Sequence, residues 1–327
     1  MREHTSVIFG STGQDGSFLA EKLLNLGHNV ICGYRKSSTE NTQNLKHLLT
    51  SDKYSGKISL CEFDLSDASS IYRIIKEYQP DWLFNEADQD HVGWSYKIPS
   101  YSIQVTTEAV TTICEAITLC SPQTKLFLPV TSNIFGNVHA GAVNETSTPA
   151  PISPYGIAKT AVLHLSRYYR ETQNLNIITG ILFNHESHKR SEHYLTKKLA
   201  NAVAKIHLGI ESEVSFGDLD TFVDWGCASE FTEYFCKLMQ SDFVGDLVIG
   251  TGKLTKVEDL VTAAFSYKNL DMANHVKQDP RFMRPIKMSP IHASTEKMQS
   301  ITGELLHRSS VDVITDMIDY EIEMLQN

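Results

Sequence analysis

The chain has 327 residues, room for one large domain or two unequal ones, and an ordinary globular composition of 41% hydrophobic and 21% charged residues without low-complexity runs. Its formal charge of −10 argues against nucleic acid as the main partner, although a local basic pocket for a phosphorylated ligand can sit on an acidic protein. No apolar run approaches the ~20 residues of a membrane span, and the N-terminus enters a strand without a secretory core, so a cytoplasmic location is expected.

Short apolar runs alternate with amphipathic stretches through the first half. Strands are expected at 6–9, 29–33, 58–62, 82–84, 125–130 and 177–183, with helices at 17–26, 68–78, 105–120 and 155–173. Such alternation predicts an α/β fold, a doubly wound parallel sheet with helices on both faces. From about residue 184 the pattern loosens into helical stretches near 193–208, 228–240, 256–266 and 311–325. The expected division is therefore 1–183 and 184–327, with a smaller C-terminal lobe and later segments free to return to the sheet. The six cysteines are scattered, with no C-x-x-C pair, and read as buried free thiols rather than disulfides or metal ligands.

The first strand runs into GSTGQDGSFLAEKLL, where Gly10, Gly13 and Gly16 open an amphipathic helix. Glycines at a strand-to-helix junction let the backbone approach a pyrophosphate, whose charge then lies at the helix N-terminus beside Gln14 and Asp15. This makes the sheet Rossmann-type and implies a dinucleotide. The second strand ends in GYRKSS, where an NAD site would place an acid for the ribose 2′-hydroxyl. Arg35, Lys36 and Ser38 suit a 2′-phosphate instead, so NADP(H) is expected over NAD(H). In FDLSD, Asp64 and Leu65 stand where an adenine amine could be met, although Ser66 or Asp67 also reads as a helix N-cap.

VTSNIFG follows the strand at 125–130, and SPYGIAK opens the helix at 155. Tyr155 and Lys159, four residues apart, share one helix face. The ammonium is expected to lower the phenol pKa, so that Tyr155 takes a proton from an alcohol or gives one to a ketone. Thr131 or Ser132 would hydrogen-bond the reacting oxygen. His185, His188, Glu186 and Glu192 lack metal spacing and are expected on a surface loop, and Asp224, Trp225 and Gly226 are expected to anchor the lobe junction.

These segments, with DQDHVGWSY, ILFNHES, GDLDTFVDWG and DPRFMRP, resemble the extended short-chain dehydrogenases/reductases and, among them, the GDP-mannose 4,6-dehydratases, over nearly the whole chain. The resemblance implies catalytic roles for Thr131, Tyr155 and Lys159. It implies cofactor or substrate contacts at Gly10, Gly13, Gly16, Arg35, Ser38, Asp64 and Asn184, and sites near guanine and diphosphate for Lys198 and Arg284. It further implies a GDP-sugar between two lobes, tightly held NADP, and subunits paired through the helices at 105–120 and 155–173 into a homodimer or homotetramer.

The chain departs from that pattern in places. Asn133 stands where the family has a glutamate that takes the C5 proton, and an amide has no useful basicity. Val223 replaces an arginine of the diphosphate clamp, which Arg281, Arg284 or Lys189 could replace. Glu86, Asp88 and Asp90 are unexpected acids near the nicotinamide and sugar. The departures favour C4 oxidation or reduction without efficient elimination, as in a 4-ketoreductase, 4-dehydrogenase or 4-epimerase. A true dehydratase using another base, and a nucleotide-binding subunit without turnover, stand as alternatives.

Overall fold

The structure, a computed structural model, describes residues 4–38, 41–138, 140–282 and 289–326. Among the described residues, the central element is a seven-stranded sheet of β1 (Thr5–Phe9), β2 (Asn29–Tyr34), β3 (Ile58–Glu62), β4 (Trp82–Asn85), β5 (Lys125–Thr131), β7 (Asn176–Leu182) and β11 (Gly245–Ile249). Three small sheets hold the rest: β6 (Gly141–Val143) with β14 (Ile291–Ala293); β8 (Asn184–Glu186), β10 (Phe222–Cys227) and β12 (Leu254–Lys256); and β9 (Val214–Phe216) with β13 (Val276–Gln278).

The large sheet has the order β11-β7-β5-β4-β1-β2-β3, and every neighbouring pair is parallel. Strands covered on both faces read as continuous apolar runs, which is why VIF and WLF are legible as strands without alternation. The order reverses between β1 and β4, so the chains leaving those two strands part and open a crevice at their carboxyl ends.

Helices α1 (Gln14–Asn25), α2 (Lys46–Leu49), α3 (Ala68–Tyr78), α4 (Val92–Ser95), α5 (Pro99–Cys120) and α6 (Pro154–Gln173) fill the first half. The second half carries α7 (Leu195–His207), α8 (Ala228–Gln240), α9 (Val257–Tyr267), α10 (Met272–His275), α11 (Glu296–Thr302) and α12 (Ser310–Gln326). α5 starts six residues before the expected 105, because Pro99 supplies a ready first turn that apolar periodicity does not reveal. α6 is capped by Ser153, whose hydroxyl accepts from the Gly156 N–H at 3.0 Å, with Pro154 in its first turn. That cap sets the rotation of Tyr155 and Lys159.

One core lies under α3, α5 and α6, with Ile71, Ile113 and Val162. A second lies under α1 and α8, with Leu23, Phe127 and Phe235. β11 and α8 therefore rejoin the first layer despite following residue 184. A third core joins α7, α9 and α12 through Leu199, Phe265 and Ile314. Among the described residues the six cysteines are free, all but Cys120 buried, and no helix is long and apolar enough to cross a membrane.

Candidate active site

The glycine loop is built by close approach. Gly10 has φ +79°, and a Cβ there would stand 2.6 Å from the Ala87 nitrogen and from the Glu86 carbonyl carbon. A Cβ on Gly16 would lie 2.3 Å from the Gly10 oxygen, and Gly13 caps α1. Only hydrogen fits at Gly10 and Gly16, so the loop draws the N-terminus of α1 against the turn after β4. Gln14 and Asp15 tie this turn to β8. Gln14 Nε2 donates to the His185 carbonyl at 3.1 Å, and Ser187 donates to Gln14 Oε1 at 2.9 Å.

His185 and Glu186 were expected on a surface loop. They are instead buried on β8, where the His185 ring stacks on Phe231 and its Nε2 meets Asp15 Oδ2 at 2.7 Å. Burial works against both charges, but each partner's charge and hydrogen bond outweigh it, so Asp15 is held below and His185 above its ordinary pKa. The missed signal lies 170 residues apart in sequence and is invisible to local pattern.

At the end of β2, Arg35, Lys36 and Ser38 are exposed; Lys36 pairs with Glu62 at 3.2 Å and the Arg35 carbonyl accepts from Asn41 at 2.8 Å. Asp64 accepts from the Ser66 N–H and hydroxyl at 2.9 and 2.7 Å, which lowers its pKa, and Leu65 packs on the first core. Asp67 caps α3 through the Ser69 N–H.

Thr131 ends β5, Ser132 and Asn133 form the turn that follows, and Tyr155 and Lys159 project from α6 into the same cleft. The Asn133 amide donates to Thr131 Oγ1 at 2.9 Å, and its backbone N–H at 3.3 Å. Lys159 donates to the Pro129 carbonyl at 2.8 Å and meets Asp88 Oδ2 at 2.7 Å, both side chains 8% exposed. Here the structure differs from the expectation that Lys159 lowers the Tyr155 pKa. Burial first, then the charges of Asp88 and Asp90, push the phenol well above its usual range, against a hydrogen bond with Thr131.

Glu86 lines the same cleft with Oε1 shielded and unpartnered, and burial together with the Asp15 charge holds its carboxyl well above the usual carboxylate range. The cleft has a volume of about 430 Å³ and reaches across to Asn184, Arg190, Val223 and Trp225. Arg190, which sequence reasoning missed, stacks over the Tyr194 ring at 3.7 Å and pairs with Glu186 at 3.3 Å. Its place four residues after Glu186 was the available clue. On β10, Asp224 is 1% exposed and accepts from the N–H groups of Thr251, Gly252 and Ala293 and from the Thr251 hydroxyl. Among the described residues no cluster could hold a metal ion.

The family model described as GDP-mannose 4,6 dehydratase matches residues 7–309. The chain belongs to the GDP-mannose 4,6-dehydratase family. It is 32% identical to GDP-mannose 4,6 dehydratase 2 of Arabidopsis thaliana, covering 98% of this chain and 87% of that one. It is 31% identical to the Drosophila melanogaster GDP-mannose 4,6 dehydratase, covering 99% and 88%. Among solved structures, the fold is similar to UDP-glucose 4-epimerase of Thermotoga maritima with UDP-glucose, at TM-score 0.85, 21% identity and 98% and 99% coverage. It is also similar to dTDP-glucose 4,6-dehydratase of Bacillus anthracis with NAD, at TM-score 0.85, 16% identity and 99% and 98% coverage. The chain is thus a short-chain dehydrogenase/reductase-type member of an enzyme family acting on nucleotide sugars.

Against the pattern expected of a GDP-mannose 4,6-dehydratase, the departures sit in the cleft. Val223 lies in its wall and packs on the third core. Arg281 pairs with Asp279 at 2.6 Å and Lys189 lies 4.2 Å from the Phe18 ring centre; neither lines the cleft. Lys198 donates to the Ser215 carbonyl at 2.6 Å beside the Phe282 ring, which does line it. Arg284 lies outside the described residues.

Proposed function

We propose that this protein is an NADP(H)-dependent enzyme that oxidises or reduces C4 of a nucleoside-diphosphate sugar, GDP-linked, without efficient elimination of water. The observation that carries the reading is the Asn133–Thr131 hydrogen bond of 2.9 Å. The group standing where a carboxylate base would serve is a donor, and its donor is spent on orienting the threonine hydroxyl. Thr131 and Tyr155 remain in the cleft to hold O4 and move its proton.

The tight turn that Gly10 and Gly16 permit at the N-terminus of α1 suits a pyrophosphate, and exposed Arg35 and Ser38 suit a ribose 2′-phosphate. A bound nicotinamide would supply hydride transfer at C4. The sheet layer, including β11 and α8, would hold the dinucleotide, while the lobe of α7, α9 and α12 would close over the nucleotide sugar near Asn184, Lys198 and Arg284. Tyr101 and Ile103 on α5 and Ile157 and Tyr168 on α6 are exposed and support pairing of subunits through these helices.

A second reading, a dehydratase with a substitute base, is favoured by the carboxyls of Glu86 and Asp90 in the cleft. Incubation with GDP-mannose and the cofactor, followed by product mass, separates the two. Loss of water would show the dehydratase; a change of two mass units would show C4 redox chemistry. Release of a dehydrated product at a rate matching hydride transfer would overturn the proposal.

A further inference from the structure

The ion pair between Asp88 and Lys159 has no place in the reading above. Both side chains are 8% exposed, so the pair is shielded from solvent at 2.7 Å. Asp88 is not a loose partner: its Oδ1 accepts from the Thr106 hydroxyl of α5 at 2.5 Å and from the Gln89 N–H at 2.7 Å. Lys159 is held on its other side by the Pro129 carbonyl at 2.8 Å. The carboxylate is thus fixed by α5 and the turn after β4, and the ammonium by α6 and β5.

We propose that Asp88 is a positioning residue that withdraws the Lys159 charge from Tyr155 and so sets the site to reduce a 4-keto nucleotide sugar, with reduced nicotinamide as hydride donor. The inference rests on the C4 reading above and gives it a direction. Opposite charges 2.7 Å apart act on a third group as a dipole, whose field falls off faster than that of a lone ammonium. The Lys159 nitrogen stands 6.0 Å from the Tyr155 ring centre, so its pairing with Asp88 weakens the field it lends to the phenol.

The groups facing Tyr155 come from every side. Asp88 and Asp90 on the turn after β4 disfavour the phenolate, while Thr131 at the end of β5 and Arg190 beyond β8 favour it. The Tyr194 phenol stands in the same wall, as does the Glu86 carboxyl, which burial and the Asp15 charge hold above its usual range. Burial and two carboxylates prevail, and the phenol stays protonated.

A protonated phenol is an acid, the form a ketone needs. A reduced nicotinamide, when bound, would supply the hydride for the C4 carbonyl carbon and be left oxidised. Tyr155 gives its phenolic proton to O4, and the phenolate is reprotonated from water. Oxidation in reverse needs the phenolate and becomes efficient only at alkaline pH.

The test reads Tyr155 directly. In protein carrying ¹³Cζ-tyrosine, the resonance missing from Tyr155→Phe is followed against pH by NMR in wild type, Asp88→Asn and Asp88→Ala. The alanine variant covers the case in which the asparagine variant does not fold. The expected result is a phenol that titrates about one pH unit or more lower in either variant. Unchanged titration in a folded variant overturns the proposal. In turnover, wild type should reduce a GDP-4-keto-hexose at a pH-independent rate near neutrality, and Asp88→Asn should move the alkaline rise of GDP-mannose oxidation downward. An unmoved rise would also overturn it. Absence of hydride transfer in both directions, with the NMR shift intact, would remove the C4 reading and leave the hold of Asp88 on Tyr155 standing.

Discussion

At the scale of single residues, the proposed chemistry and cofactor turn on Asn133 and Arg35. Oxidation at C4 acidifies the C5 proton, so a carboxylate within reach should exchange it even before water leaves. Asn133→Glu is expected to create or raise deuterium exchange at C5 of a bound 4-keto sugar, read by NMR in deuterated buffer, whereas wild type transfers hydride with little exchange. Rapid exchange and a 6-deoxy product from wild type would show that Glu86 or Asp90 already supplies the base. Arg35→Ala should weaken NADP(H) about tenfold or more while leaving NAD(H) nearly unchanged, since only the former carries a phosphate for the guanidinium. Equal weakening in a fluorescence titration of both reduced cofactors would remove the 2′-phosphate from the argument.

At the scale of elements, two contacts join segments distant in the chain. Gly10→Ala places a methyl 2.6 Å from backbone atoms of the β4 turn at φ +79°. Stability should fall by roughly 1–3 kcal/mol, with NADP(H) affinity lost in parallel. Chemical denaturation and cofactor titration would expose an error if both stayed at wild-type values. The Asp15–His185 pair joins α1 to β8. The folded pKa of His185 lies above its ordinary 6.5, so its stabilisation is complete below that value and is lost as pH rises through the folded value. That of Asp15 lies below 3.8, so its share is present above 3.8 and lost as pH falls through the folded value. The deficit of His185→Gln in urea denaturation should therefore be largest between those two values, roughly 3–5 kcal/mol, and shrink at alkaline pH. A deficit independent of pH would mean that stacking on Phe231, not charge, is what His185 contributes.

At the scale of the whole molecule, the exposed side chains Tyr101, Ile103, Ile157 and Tyr168 lie on helices that pack against each other. Light scattering of the cofactor-loaded protein should give a dimer or tetramer, and Ile157→Glu should shift it towards monomer. A monomer across micromolar concentrations would defeat the pairing. The sequence alone carried six of the seven sheet strands, all but β11, because strands covered on both faces read as apolar runs, and it carried the glycine loop and the Tyr155–Lys159 spacing, because each is local. It also flagged Glu86, Asp88 and Asp90 as misplaced acids. It could not assign them, since a charge acts through its neighbours in space and those come from β5, α5, α6 and the segment beyond β8. Only the tertiary structure decided that Asp88 takes the ammonium of Lys159, that Glu86 Oε1 is buried without a hydrogen-bond partner, and that His185 is a buried tie to Asp15. Burial and pairing set the charge state of each group, and both are properties of the packed molecule.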